Sequence, residues 1–202
     1  MAVHNVTEDA ATFTCNAYLL TGDRPTLVDA GAMPDVVDVI DRYVDTVDAV
    51  LITHQHPDHV AELDAIIDAY DPAVYAAADH PARTDALADG DTVDAGDDRF
   101  EVVATPGHAD DHVAFVSETT LFSGDVVVHD DAAFEDGSFG RTDGPDQSRA
   151  TLVDSIRRLL DRLPSTVEDM YSGHGGEFHG DVHAVVERAL ERADRREPKY
   201  PE

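Results

Sequence analysis

The feature that most constrains this chain is the run Thr53-His54-Gln55-His56-Pro57-Asp58-His59, placed directly after the apolar stretch Ala49–Ile52. A buried strand that ends at once in a cluster of imidazoles and a carboxylate is an arrangement for gripping cations. In an extended turn His54 and His56 project to the same side, so both rings can reach one ion. Asp58 and His59 then point to a neighbouring position. Two cations a few ångströms apart call for this mixture of ring nitrogen and carboxylate oxygen. The fold must therefore hold strand ends rigidly and place loops there, where chemistry is usually carried.

Short apolar runs separated by turns and amphipathic stretches predict an α/β chain. Strands are expected at Asn16–Leu20, Thr26–Asp29, Ala49–Ile52, Ala73–Ala76, Arg99–Ala104, Val113–Val116, Leu121–Gly124 and, as the last, Val167–Tyr171. Helices are expected from Pro34 to Val44, over Val60–Tyr70, Asp146–Leu163 and Asp181–Arg196. Asp79–Gly90 reads as a short helix or loop, and Phe134–Pro145 as a long loop. No repeat or linker composition interrupts residues 1–202, so one domain is expected, with a frayed tail at Glu197–Glu202.

Three more donors follow one local pattern of apolar strand, glycine and ligand. His108 lies in Thr105-Pro106-Gly107-His108, Asp125 ends Leu121-Phe122-Ser123-Gly124, and His174 lies in Ser172-Gly173-His174-Gly175. Gly107, Gly124 and Gly173 suit a close backbone approach or an ordinary turn.

With these residues the chain resembles the metallo-β-lactamase superfamily over roughly residues 14 to 176. The resemblance implies an αββα sandwich of two mixed sheets with helices on the outer faces. It implies that His54, His56 and His108 bind a first metal, that Asp58, His59 and His174 bind a second, and that Asp125 bridges them. Asp29, in Leu27-Val28-Asp29-Ala30-Gly31, matches a position that supports the His-rich loop. The chain is more similar still to the glyoxalase II-like (hydroxyacylglutathione hydrolase-like) branch, through Thr105-Pro-Gly-His108, Phe122-Ser-Gly-Asp125, Gly137-Ser-Phe-Gly-Arg-Thr-Asp143 and Tyr171-Ser-Gly-His174-Gly. It departs from the family at Ala61, where Gly is usual, and at Ala109, where Thr is usual. Full-length glyoxalase II is similar to this chain plus a helical C-terminal region holding basic glutathione-binding residues. The resemblance therefore implies hydrolysis of an acyl thioester or related ester, without carrying over recognition of glutathione.

The implied chemistry is that of a dinuclear hydrolase with a metal-bridging hydroxide as nucleophile. The expected cofactors are two divalent ions, zinc first, with iron or manganese as other candidates. Asp58 is the expected catalytic group, taking a proton as well as binding metal. His112 and His129, four residues after His108 and Asp125, together with Arg141 and Tyr171, are candidates for supporting the ligands or touching substrate. His112 reads equally well as a strand residue facing solvent, and Arg141 as the partner of a nearby Asp. His4, His80, His179 and His183 read as surface or capping residues. A rival of the same fold is a persulfide dioxygenase, with a single iron on Asp125 and two of His54, His56 and His108. RNA-cleaving and lactone-hydrolysing members share the fold too. A non-catalytic metal module is disfavoured, because structural zinc sites are usually closed by four ligands, often Cys.

Composition narrows these options. Asp and Glu number 43 against 14 Lys and Arg, for a formal net charge of -29. No basic patch is present to meet a phosphate backbone, so no nucleic-acid partner is expected. Acid dispersed along the whole chain suits solubility in concentrated salt, and a halophilic source is the expectation. No apolar leader and no long apolar run occur, so a cytoplasmic protein without a membrane partner is expected. Cys15, the only cysteine, sits in the apolar stretch Phe13–Leu20 and reads as a packed core thiol. The expected partner is a small-molecule thioester or ester; oligomeric state is left open by the sequence.

Overall fold

In the computed structural model, residues 1–131 and 133–196 are described, and the tail 197–202 expected to fray lies outside them. The chain divides into two units, residues 1–101 and the residues from Val102 on.

In unit 1 the strands β1 (Ala2–Asn5), β2 (Tyr18–Thr21) and β3 (Thr26–Val28) are paired in sequence, each antiparallel to the next. Helix α1 (Val36–Ile40) leads to β4 (Ala49–Leu51), which pairs parallel with β3. After β4 come α2 (Pro57–Val60) and α3 (Leu63–Tyr70), then β5 (Ala73–Ala76) and β6 (Asp85–Ala86), both joining in parallel. The result is a mixed six-stranded sheet in the order β1-β2-β3-β4-β5-β6. β3 and β4 are buried on both faces, which is why Leu27–Val28 and Val50–Leu51 read as unbroken apolar runs. Val36, Ile40, Leu63 and Ile66 pack beside Leu19, Leu27, Val50, Ile52 and Val74 in one core cluster. The hairpin of β7 (Thr92–Ala95) and β8 (Asp98–Ala104) closes the unit, and β8 carries the chain onward.

Unit 2 continues with β9 (Val113–Val116), β10 (Thr120–Gly124), β11 (Val127–Val128), β12 (Ser138–Phe139), α4 (Arg149–Arg162), β13 (Asp169–Ser172), β14 (Phe178–His179) and α5 (Val182–Arg195). The second sheet is also mixed, ordered β14-β13-β10-β9-β8-β7, and β10 pairs parallel with β13. Helix α4 starts where the Ser148 side chain accepts from the Thr151 amide, and α5 where Asp181 accepts from Ala184. Leu152, Ile156 and Leu159 on α4 share a core with Val182, Val186 and Ala189 on α5.

The two mixed sheets and their helices agree with the sequence reading, but several boundaries moved. The helix expected over Val60–Tyr70 is broken in two, and its first turn begins at Pro57. The helix expected to reach Val44 ends at Ile40. Asp79–Gly90 holds the two-residue strand β6, and the expected loop Phe134–Pro145 contains β12. Val167–Tyr171 is followed by a further strand, β14. β1 and β7 were not foreseen. Among the described residues no helix is long and apolar enough to cross a membrane.

Candidate metal centre

In unit 1 the donors are arranged by a change of backbone regime. His56 is extended (φ -65°, ψ 147°), and Pro57 at the next position starts α2. The extended part keeps His54 and His56 on one side, with His54 Nε2 3.0 Å from His56 Nδ1. That spacing serves an N–H···N bond, or two nitrogens sharing one cation, whose bonds of ~2.0–2.1 Å set ligand atoms roughly 3.3 Å apart. The helical part lifts Asp58 and His59 in a different direction. His59 is fully buried, whereas His56 and Asp58 are half-buried.

Asp29 organises this loop. It ends β3 with φ 59°, in the left-handed region that few residues other than Gly occupy, Asp among them. Its carboxylate accepts from the Thr53 amide and the Thr53 hydroxyl, both at 2.8 Å, and from His59 Nδ1 at 2.9 Å. A carboxylate only accepts, so His59 carries its proton on Nδ1 and a lone pair on Nε2. The Thr53 hydroxyl has one proton, already given to Asp29. It therefore accepts from His54 Nδ1, 3.1 Å away, and His54 too presents a lone pair at Nε2. Cys15 is fully buried, as expected of a core thiol, and its Sγ lies within 4.8 Å of a donor atom of Asp29 and of His59.

In unit 2 one carboxylate gathers the remaining donors. Asp125 Oδ2 lies 3.3 Å from His108 Nε2 and 3.5 Å from His174 Nε2. His108 Nδ1 donates to the Arg141 carbonyl at 2.9 Å, which again leaves the lone pair on Nε2. That lone pair faces a carboxylate oxygen: two acceptors point at each other, and a cation satisfies both. His112 is buried, and its place is clear. The Asp125 amide donates to His112 Nε2 at 2.9 Å, so the ring proton is on Nδ1, where it meets the Thr105 hydroxyl at 2.7 Å. His112 thus holds the backbone of Asp125 and does not face solvent.

Two glycines are required by these approaches. A Cβ on Gly140 would collide with the Asp125 carbonyl oxygen and lie 2.9 Å from His108 Nδ1. Gly175 has φ +76°, and a Cβ there would fall on the Asp130 carbonyl oxygen, displacing the loop that carries His174.

The other candidates fare differently. The exposed Arg141 guanidinium is paired with Asp143 at 2.8 Å, one of the two readings its sequence context allowed, and it is the Arg141 backbone that touches His108. Tyr171 is buried on β13 and stacks on Phe122 at 5.1 Å between centroids. Its hydroxyl is pushed up to about 12, first by burial and then by Asp169 and Glu177. His129 is half-buried and stacks on Phe178 at 4.5 Å. His4 stacks on Tyr43, His80 caps the Ala82 amide, His179 pairs with Asp169 and His183 meets the Pro164 carbonyl. Sequence reasoning gave no role to Thr53, Thr105, Gly140 or the Arg141 carbonyl. Only Thr53, adjacent to His54, carried a local signal.

Imidazole nitrogens and carboxylate oxygens, with Nδ1 protons tied to oxygen acceptors and Nε2 lone pairs presented, fit divalent ions of the zinc, iron and manganese type. Comparisons with known proteins agree. Residues 10–174 match the family described as the Metallo-beta-lactamase superfamily. Over 160 residues the chain is 31% identical to a hydroxyacylglutathione hydrolase from Chromohalobacter salexigens, covering 75% of this chain and 57% of that one. Over 188 residues it is 30% identical to "Probable metallo-hydrolase M6_Spy0554" of Streptococcus pyogenes serotype M6, covering 79% of this chain and 78% of that one. The solved structure of TTHA1623 in a di-iron-bound form matches with a TM-score of 0.69 at 28% identity, over 87% of this chain and 93% of that one. The chain spans about half the length of the hydroxyacylglutathione hydrolases it matches. Signature, fold and donor chemistry coincide, and the chain belongs to the metallo-β-lactamase superfamily.

Proposed function

We propose that the protein is a metal-dependent hydrolase of acyl thioesters that works with two divalent ions. The observation that carries this reading is the fixed tautomer of His54, His59 and His108, each with its Nδ1 proton held by an oxygen acceptor. Histidines locked this way are prepared to ligate through Nε2. The superfamily pattern allots His54, His56 and His108 to one ion, Asp58, His59 and His174 to the other, and Asp125 to both. The names of the relatives support hydrolysis of a hydroxyacyl thioester, and the di-iron form of TTHA1623 supports a pair of ions, with iron beside zinc and manganese as the metal.

When bound, such ions supply Lewis acidity for the thioester carbonyl and lower the pKa of a water toward neutrality. The protein's own groups do the rest. Asp58, half-buried, accepts a proton at Oδ2, 3.9 Å from His59 Nε2. Asp29 and Thr53 keep the rings of His59 and His54 from rotating. His112 and Thr105 fix the backbone of Asp125, so its carboxylate is presented without reorganisation.

Metal-loaded protein offered S-D-lactoylglutathione and simpler acyl thioesters in molar KCl tests the reading. Release of free thiol is the expected result, and no turnover of any of them despite full metal loading rejects it. One iron per chain with sulfur-dependent oxygen uptake would replace it by the dioxygenase.

A further inference from the structure

Shortly before the Arg141 carbonyl that receives the His108 Nδ1 proton, the chain is fastened to helix α5. The Arg192 guanidinium donates to the Gly137 carbonyl and, at 2.7 Å, to Asp136 Oδ1, and it covers the Phe134 ring at 4.3 Å. Arg188, one turn earlier on α5, donates to Asp136 Oδ2 at 2.8 Å. Gly137 has φ +127°, and a Cβ there would meet the Val185 carbonyl oxygen at 2.6 Å, so the backbone lies directly on the helix. From Gly137 to Gly140 every residue is buried. Gly140 abuts the Asp125 carbonyl, and the next residue turns its own carbonyl to His108.

The relative strength of these contacts decides which one holds the segment. Strand β12 pairs only through Val127–Phe139 and Val128–Ser138 in a two-stranded sheet. A ribbon of two strands is marginal in water by itself. The Arg188–Asp136 pair is exposed on both sides, and such pairs contribute little and are screened by salt. Arg192 differs. Its side chain is 16% exposed, and besides the Asp136 carboxylate it meets a neutral carbonyl and an aromatic face. On the far side of the His108 bond, α4 holds the turn: the Ser155 hydroxyl donates to the Pro106 carbonyl at 2.7 Å, and the Ser148 amide to the Gly107 carbonyl at 2.8 Å. Since α4 and α5 share one core, both ends of that bond are referred to the same helix pair.

We propose that Arg192 is a positioning residue for the metal centre: by fixing Asp136 and Gly137 to α5 it keeps the Arg141 carbonyl on His108 Nδ1, and so keeps His108 Nε2 presented as a ligand. The consequence for metal rests on the reading of His108 as a ligand; the hold on its ring does not.

The test starts without metal. In 1H–15N spectra of the metal-free protein in molar KCl, the Nδ1–H signals of His108 and His59 are identified by their loss in His108→Gln and His59→Gln. Arg192→Ala loses the His108 signal to exchange with water and keeps that of His59, which Asp29 holds. Arg195→Ala removes the same charge from the same helix, at a residue that pairs with Glu191, and keeps both signals. Where Arg192→Ala does not fold, Arg192→Lys, which keeps the charge and gives up the fork, decides by the same signal. A His108 signal as sharp as in the wild type, or one lost together with that of His59, overturns the proposal. A competitive zinc titration reads the consequence. Loss of a supporting group weakens metal binding about 10- to 100-fold, so Arg192→Ala should lose about tenfold in one of two binding steps and keep the other. Equal weakening of both, or of neither, overturns the proposal. A wild type that binds no metal, with the His108 signal still lost in Arg192→Ala, overturns the dinuclear reading and leaves the positioning standing.

Discussion

Asp29 touches no cation in the proposed scheme, yet the rings of His54 and His59 are both set by it, one directly and one through Thr53. Removing such support typically weakens metal binding by about 10- to 100-fold. Asp29→Asn keeps the shape and the left-handed backbone but turns an acceptor toward a donor, so a loss in that range is expected in a competitive zinc titration, with the fold retained by circular dichroism. An unchanged affinity would show that the histidines orient themselves. Tyr171 gives a second check at this scale. Its folded hydroxyl titrates at about 12, against ~10 in an unfolded chain. The fold favours the protonated form, so the stabilisation is complete below pH ~10 and is lost as pH rises toward 12. Absorbance at 295 nm, wild type minus Tyr171→Phe, should show a tyrosine that ionises well above the ordinary tyrosine range. The candidate donors were legible because each follows an apolar strand. Gly140 and Thr105 were not, because their role is an approach to residues distant in sequence that no local spacing records.

At the level of elements, Pro57 separates two jobs: the extended backbone before it pairs two imidazoles, and the helical turn after it redirects Asp58 and His59. Periodicity found the long elements, since α4 and α5 carry unbroken apolar stripes and β9 and β10 are wholly buried. It missed β1 and β7, whose residues alternate with or consist of polar and small side chains and which owe their conformation to pairing with β2 and β8. It extended the helix after Pro34 too far, because Val44 continues the apolar stripe of Val36 and Ile40 and packs against the same core although the helix ends at Ile40. Helix α4 matters to the centre: its cap residue Ser148 also donates its amide to the Gly107 carbonyl, beside His108. Ser148→Ala, which leaves that backbone bond in place, should cost about 1 kcal/mol through the lost cap, measured by urea unfolding; a change within about 0.3 kcal/mol would mean that packing alone starts the helix.

At the scale of the whole molecule, the dominant fact is 43 acidic against 14 basic residues. Some of this charge is paired, as where Arg188 and Arg192 meet Asp136, but most of it repels. Screening shortens from ~10 Å at 0.1 M salt to ~3 Å at 1 M. We therefore expect the thermal midpoint to climb steeply between dilute buffer and molar KCl, in keeping with a halophilic source. A midpoint independent of KCl would contradict this. Charge also sets the conditions for the decisive experiment, which is the metal content of the purified protein. After loading with zinc, iron or manganese in molar KCl and removal of free ions by gel filtration, the account predicts close to two ions per chain by mass spectrometry, falling below one in Asp125→Ala. A wild-type protein that retains essentially none of the three metals would contradict it.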